Sequence, residues 1–193
     1  MKVSKAQVKA NRAHIVETAS VVFRERGFDG VGLADLMGAA GFTHGGFYKH
    51  FGSKADLMAE ASDCGLSDMA AKVDGVDLAS FMTHYLSREH RDRPGQGCTI
   101  AALSTDVSRQ TEDVKQVFAD GIERILAALA NDGVERDAAS QRVARSGRID
   151  AMAHLVGAII LSRACPDGSH LSDEILDICR DSALSRLAER ESI

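Results

Sequence analysis

Only two prolines interrupt the 193 residues, at positions 94 and 166, so long stretches are free to continue as helix. β-branched residues rarely alternate with polar ones, which leaves little pattern for half-buried strands. An all-α protein is expected. No apolar run approaches the roughly eighteen residues of a membrane span, and MKVSKAQVKANR has no apolar segment behind it like that of a secretory signal. The expectation is a cytoplasmic protein with no membrane partner. Cys64, Cys98, Cys165 and Cys179 form no C-x-x-C pair and no zinc-ligand spacing with the seven histidines, so they read as reduced thiols; no metal and no cofactor is expected. The G-x-S-x-G, G-x-x-x-x-G-K-[ST], H-E-x-x-H and dinucleotide glycine signatures are missing as well. A nucleophilic pair of Cys98 with His84 or His90 is the one catalytic arrangement left, and the chain is expected not to be an enzyme.

Hydrophobic residues at 45% and charged residues at 26% describe an ordinary globular chain, long enough for one large or two small domains. The net charge of −5 argues at first against a polyanionic partner, but the charge is unevenly spread. Residues 1–54 carry eight basic and four acidic groups, whereas 55–193 carry fifteen and twenty-four. That asymmetry suits a protein with one lobe that meets phosphates and one that does not. Lys2, Lys5, Lys9 and Arg12 occur with no acid among the first twelve residues. They read either as a solvated tail or as an arm that adds phosphate or minor-groove contacts.

The most informative stretch is Gly27 to Leu57, GFDGVGLADLMGAAGFTHGGFYKHFGSKADL. Leu33, Leu36, Met37 and Ala40 recur at helical spacing and stop at Gly41, a residue suited to the left-handed turn that ends a helix. Thr43 is a candidate N-cap for a second helix over His44–Phe51. Phe47 and Phe51, four apart, face inward and leave Thr43, His44, Gly45, Tyr48 and Lys49 outside. Two helices joined by a short turn, the second presenting small and hydrogen-bonding side chains, make the helix-turn-helix that enters the DNA major groove. Gly45 and Gly46 weaken that helix but admit a close backbone approach to DNA. Ser53 and Asp56 then spell a capping box for a following helix, with Lys54 in its first turn.

From Ile15 through Leu57 the chain resembles the DNA-binding domain of the TetR/AcrR-type transcriptional regulators. The resemblance rests on Ile15, Ala19, Phe23, Gly27, Phe28, Ala40, Gly41, Gly45, Tyr48, His50, Phe51, Ser53, Lys54 and Leu57. It implies DNA contacts at Thr43, His44, Gly45, Tyr48, Lys49, His50 and Lys54. Val31 and Gly32 stand where the family commonly has Thr or Ser. A phosphate contact at Gly32 would therefore use backbone N–H groups, with lower operator affinity as the consequence.

The remainder reads as helices. The first runs over 6–26 on Ile15, Ala19, Val22 and Phe23; after the reading unit, others are expected from Ser53 to Lys72, from Leu78 to Glu89 before HRDRPGQG breaks the chain, and from Cys98. Thr111 opens another through Leu129, stopped by NDG at 131–133, with Val117, Phe118, Ile122, Ile125 and Leu126 inside. The segments 137–163 and the helix capped by Ser172 show more apolar surface than one chain covers, which predicts a homodimer with a four-helix interface. Residues 98–109 and 149–178 are more weakly similar to C-terminal domains of the same family. The resulting expectation is an N-terminal three-helix DNA-binding domain at 1–54 and a helical effector-binding and dimerisation domain at 55–193. The partners are a palindromic double-stranded operator, a second copy, and a small apolar or aromatic effector held near Phe81, Tyr85, Ile100 and Phe118. Cys98, at a helix start that favours a thiolate, offers an alternative thiol- or electrophile-responsive switch. A helical protein-interaction module is the third reading.

Overall fold

The computed structural model describes residues 4–130 and 137–191. Lys2 of the basic arm and the expected NDG stop at 131–133 lie outside the described residues. Helices account for the described chain, and no strand occurs among the described residues.

Helix α1 (Lys5–Arg26) starts where the Ser4 hydroxyl accepts the Gln7 N–H at 3.1 Å, and it buries Ile15, Ala19 and Phe23. Helix α2 (Leu33–Ala39) buries Leu36 and Met37 against it. The chain turns out of α2 through Gly41 at φ +79°, a conformation costly for a residue with a Cβ, while the Phe42 N–H reaches back to the Met37 carbonyl at 2.8 Å.

The next element departs from the sequence expectation. In place of an α-helix over 44–51, residues His44–Lys49 form a 3-10 helix. Thr43 stands at the N-cap position, yet its hydroxyl makes no cap bond; its carbonyl instead accepts the Gly46 N–H at 2.9 Å, the tighter three-residue spacing. Two adjacent glycines supply little propensity for the wider α-turn, so short-range closure prevails. The inward face is as expected, with Phe47 fully buried and stacked on Phe51 at 5.4 Å between ring centroids.

Helix α3 (Lys54–Val73) begins at the expected capping box. The Ser53 hydroxyl accepts the Asp56 N–H, and the Asp56 carboxylate accepts the Ser53 N–H, both at 3.1 Å. It leaves the first lobe and packs along α7 (Glu112–Ala128). The two helices approach closely at Gly121, where an added Cβ would lie 2.4 Å from a Leu66 methyl.

Two further corrections fall in the second lobe. The helix expected over 78–89 ends at Tyr85: α4 (Leu78–Tyr85) gives way to α5 (Arg88–Asp92), because the Ser87 hydroxyl accepts the His90 N–H at 3.2 Å and starts a new turn. The supposed break at 90–97 is thus partly helical, with Pro94–Gln96 as a 3-10 turn before α6 (Thr99–Val107). Likewise α9 (His170–Glu191) starts before Ser172, which does not cap it. Ser172 is buried, and its hydroxyl pairs with that of Ser162 on α8 (Ala138–Ala164) at 2.9 Å.

Buried polar groups tie α5, α6 and α8 together. The His90 Nδ1–H donates to the Tyr85 carbonyl at 2.7 Å, which fixes the tautomer and leaves Nε2 to accept the Cys98 N–H at 3.1 Å. The Arg91 guanidinium donates to the Ser162 and Cys165 carbonyls at the end of α8, and Arg163 donates in return to the carbonyls of His90 and Arg91, both at 2.9 Å. Burial, reinforced by the charge of Arg163 and opposed by the Tyr85 carbonyl, pushes the His90 pKa down to about 4.

This buried neutral histidine makes stability depend on pH. The unfolded chain binds a proton near pH 6.5 that the folded chain refuses until about pH 4. The contribution is therefore complete above pH 6.5 and is lost progressively as pH falls to about 4, with a ceiling of about 3 kcal/mol at 1.36 kcal/mol per unit. Denaturant unfolding at a series of pH values should show that decline in the wild type and a flatter profile in His90→Asn; parallel profiles would remove His90 as its source.

Candidate nucleic-acid interface and ligand cavity

On the 3-10 helix, Tyr48 is 67% exposed, and Thr43, His44, Gly45 and Lys49 are exposed beside it. A Cβ added at Gly45 would meet no protein atom within 4 Å, so internal packing does not require glycine there. Gly32 is exposed at the N-cap of α2 and makes no side-chain cap, leaving the first N–H groups of that helix facing outward. A basic, hydrogen-bonding surface of this kind, mounted on the rigid Phe47–Phe51 pair, can accept an anionic polymer.

Two of the sequence candidates are differently placed. His50 is half-buried behind the face, between the rings of Phe42 and Phe51; its Nδ1 is buried without a partner, and its carbonyl accepts from Arg12 Nε at 3.2 Å. Lys54 directs its ammonium inward, donating to the carbonyls of Phe28 at 2.5 Å and Val31 at 2.8 Å. Two of its three donors hold the loop that feeds α2, and one remains. Arg12 of the basic segment is paired with Glu60 and lies over the Phe51 ring at 4.6 Å.

The sequence gives no hint of how the two lobes join. The Phe28 N–H, at the entrance to the reading unit, donates to the Asp106 carboxylate at 2.8 Å. Asp106 belongs to the last turn of α6. Arg24 on α1 donates through Nε and Nη2 to the Gly95 carbonyl at 3.0 and 2.7 Å, and through Nη1 to Ser20 at 2.7 Å. Both ends of α6 are thereby fastened near the first lobe.

The start of α6 also forms part of a cavity of about 100 Å³. Phe81, Tyr85, Cys98 and Ile100 converge on it, together with Met69 and Val73 of α3, Ile125 and Leu129 of α7, and the stretch of α8 around Met152. Phe118 does not. It is buried in the core on the same face of α7 as Ile125, but seven residues lower, about 10 Å along the helix axis. Cys98 is the N-cap of α6 and is 3% exposed, so the accessible thiol suggested by the sequence is instead a buried one. Burial, with the Cys98 thiol alongside, raises the Tyr85 phenol well above its usual pKa, and its buried Oη has no oxygen or nitrogen partner. Arg148, the single charged residue of the lining, was missed because the apolar pattern of α8 becomes continuous only after it.

Comparison with known proteins accords with this geometry. The family described as bacterial regulatory proteins, tetR family, matches residues 15–61. The HTH-type transcriptional repressor DhaR of Mycobacterium sp. (strain GP1) is 29% identical over 110 residues, 54% of this chain and 56% of DhaR, so the match spans about half of that relative's length. The reduced form of E. coli NemR superimposes with a TM-score of 0.68 at 20% identity, covering 90% of this chain and 95% of NemR. AibR, solved in complex with isovaleryl coenzyme A and operator DNA, does so with a TM-score of 0.52 at 18% identity, covering 88% and 96%. With its helix-turn-helix spelled in sequence, built in the fold and matched by the family, the stretch 15–61 is a DNA-binding domain of the tetR family of bacterial regulatory proteins.

Proposed function

We propose that the protein is a homodimeric transcriptional repressor that releases a palindromic operator when a small molecule enters its cavity. The observation that carries the DNA-binding part is the outward set Thr43, His44, Gly45, Tyr48 and Lys49 on a 3-10 helix whose inner face is buried aromatic core. Gly32 contributes backbone N–H groups to phosphate, and the remaining donor of Lys54 supports the same strand; His50 orients the face from behind. The division at residue 54 separates this reading unit from the sensing domain, with α3 as their shared strut. Dimerisation through α8 and α9 is supported by Ile149, Leu161, Leu171 and Ile178, exposed by 46, 59, 53 and 61%, more large apolar surface than isolated helices usually present.

Helix α6 supplies the coupling. Its first residues line the cavity and its last turn holds Phe28, so an occupant that displaces Cys98 or Ile100 also bears on the entrance to the reading unit. AibR, crystallised with both an acyl-coenzyme A and its operator, offers a precedent for two sites on this fold. A second trigger is supported by the position of Cys98 within the cavity: an electrophile small enough to enter would meet its thiol. Operator release by such an electrophile from wild type but not from Cys98→Ser would favour it.

Gel shift with DNA from beside the coding region should give a dimer on an inverted repeat, with affinity falling steeply as salt rises; equal binding to scrambled DNA would reject the reading and favour an interaction module. Tyr48→Phe and Lys49→Ala should weaken operator binding with unchanged melting, whereas Phe47→Ala should cost about 3–5 kcal/mol of stability. Circular dichroism melts of the three variants distinguish the faces. Asp106→Asn should keep operator binding and lose much of the response to effector; a full response would place the coupling elsewhere.

A further inference from the structure

The cavity has an unusual polar content for its apolar walls. Among its seventeen lining residues Arg148 carries the only charge, and no Asp or Glu stands among them. The Arg148 Nε is buried with no hydrogen-bond partner, and the hydroxyl of Tyr85, a residue 5% exposed, has only the weakly accepting Cys98 thiol beside it. Arg163, whose charge opposes the upward shift of the Tyr85 phenol, lies outside the lining, in a neighbouring cleft with Asp92 and Asp167. Buried donors normally find acceptors, and leaving one unsatisfied is costly, more so where the group is charged. Two buried donors without an oxygen or nitrogen acceptor at one apolar cavity, one of them cationic and neither faced by a carboxylate of the lining, describe a site that lacks an anion.

We propose that the effector is a small amphipathic monoanion, a carboxylate on a short aliphatic or aromatic body. The carboxylate accepts from Arg148 and from the Tyr85 hydroxyl, with Arg163 adding positive potential behind Tyr85. The body lies among Phe81, Met152 and Ile125. This assignment rests on the reading of the cavity as the effector site and adds the charge of what enters it. Neutral apolar compounds fill the walls and leave the donors unanswered; cations meet Arg148. The carboxylate arrives as a free acid; in a coenzyme A thioester the same acyl body carries a neutral thioester carbonyl in its place, on a carrier larger than the cavity.

The experiment is calorimetric titration of the full-length protein at pH 7.5 with hexanoate, octanoate, benzoate and phenylacetate, each paired with its alcohol or primary amide, and with hexanoyl coenzyme A as the carrier arm. Operator binding without ligand is measured in parallel as the check on the DNA-binding reading, and operator release by each ligand as the check on the effector reading. The expected result is that at least one free acid binds about tenfold or more tightly than its neutral partner and releases operator. That preference should collapse in Arg148→Gln and shrink in Tyr85→Phe, with circular dichroism melts verifying that each variant is folded. Neutral partners that bind and release operator as well as the acids would overturn the charge assignment while leaving the effector site intact. Binding by hexanoyl coenzyme A alone, an acid preference that persists in Arg148→Gln, or no binding by any acid at millimolar concentration would each overturn the proposal.

Discussion

The peptide between Phe28 and Asp29 and the amide before it are gripped from two directions. The N–H of Phe28 is held by a carboxylate of the second lobe, and its carbonyl by the ammonium of Lys54 at the root of the long strut helix. Everything displayed to solvent by the reading unit hangs from this loop, since α2 and the 3-10 helix follow it with only short turns between. Charged groups bonded to backbone make stronger and more directional bonds than neutral pairs, so the loop has little freedom to tilt independently of α3 and α6. Fixing one short segment fixes the orientation of the whole exposed face.

A second set of backbone clasps does the same for the second lobe. Arg91 and Arg163 are engaged mainly with carbonyls at helix ends, where α5 and α8 would otherwise bury unsatisfied acceptors. His90 works in the opposite sense, accepting the N–H that opens α6. The start of α6, which lines the cavity through Cys98 and Ile100, is thereby held in place, while much of the remaining wall is methionine and aliphatic side chains. Such a combination lets an occupant be felt at the start of α6 while the walls adjust to its shape.

What could be read from the chain follows from range. The capping box of Ser53 and Asp56, the glycine turn at Gly41 and the inward pair Phe47 and Phe51 involve residues a few positions apart, and all were legible. The bonds from Asp106 to Phe28 and from Arg24 to Gly95 join residues more than seventy positions apart, and no periodicity announces them. In the cavity, helical facing identified Phe81, Tyr85 and Ile100 but could not fix depth along an axis, which is why Phe118 falls two turns away. The contact role of Lys54 came from the family resemblance; the loop carbonyls that draw its ammonium inward become neighbours only on folding.

The 3-10 geometry of His44–Lys49 changes the spacing of what this face offers. With a rise of about 2.0 Å per residue its six residues extend about 12 Å, where an α-helix would extend about 9 Å, and the difference is close to one base-pair step. Side chains three apart eclipse, so the residues fall into three rows. Phe47 takes the inward row with His44 at its open end, and the two outward rows are Gly45 with Tyr48 and Gly46 with Lys49. Each outward row joins one glycine to one hydrogen-bonding side chain. Along these two rows bare backbone precedes the hydrogen-bonding side chain, so their leading edge offers contour and their trailing edge offers donors and acceptors.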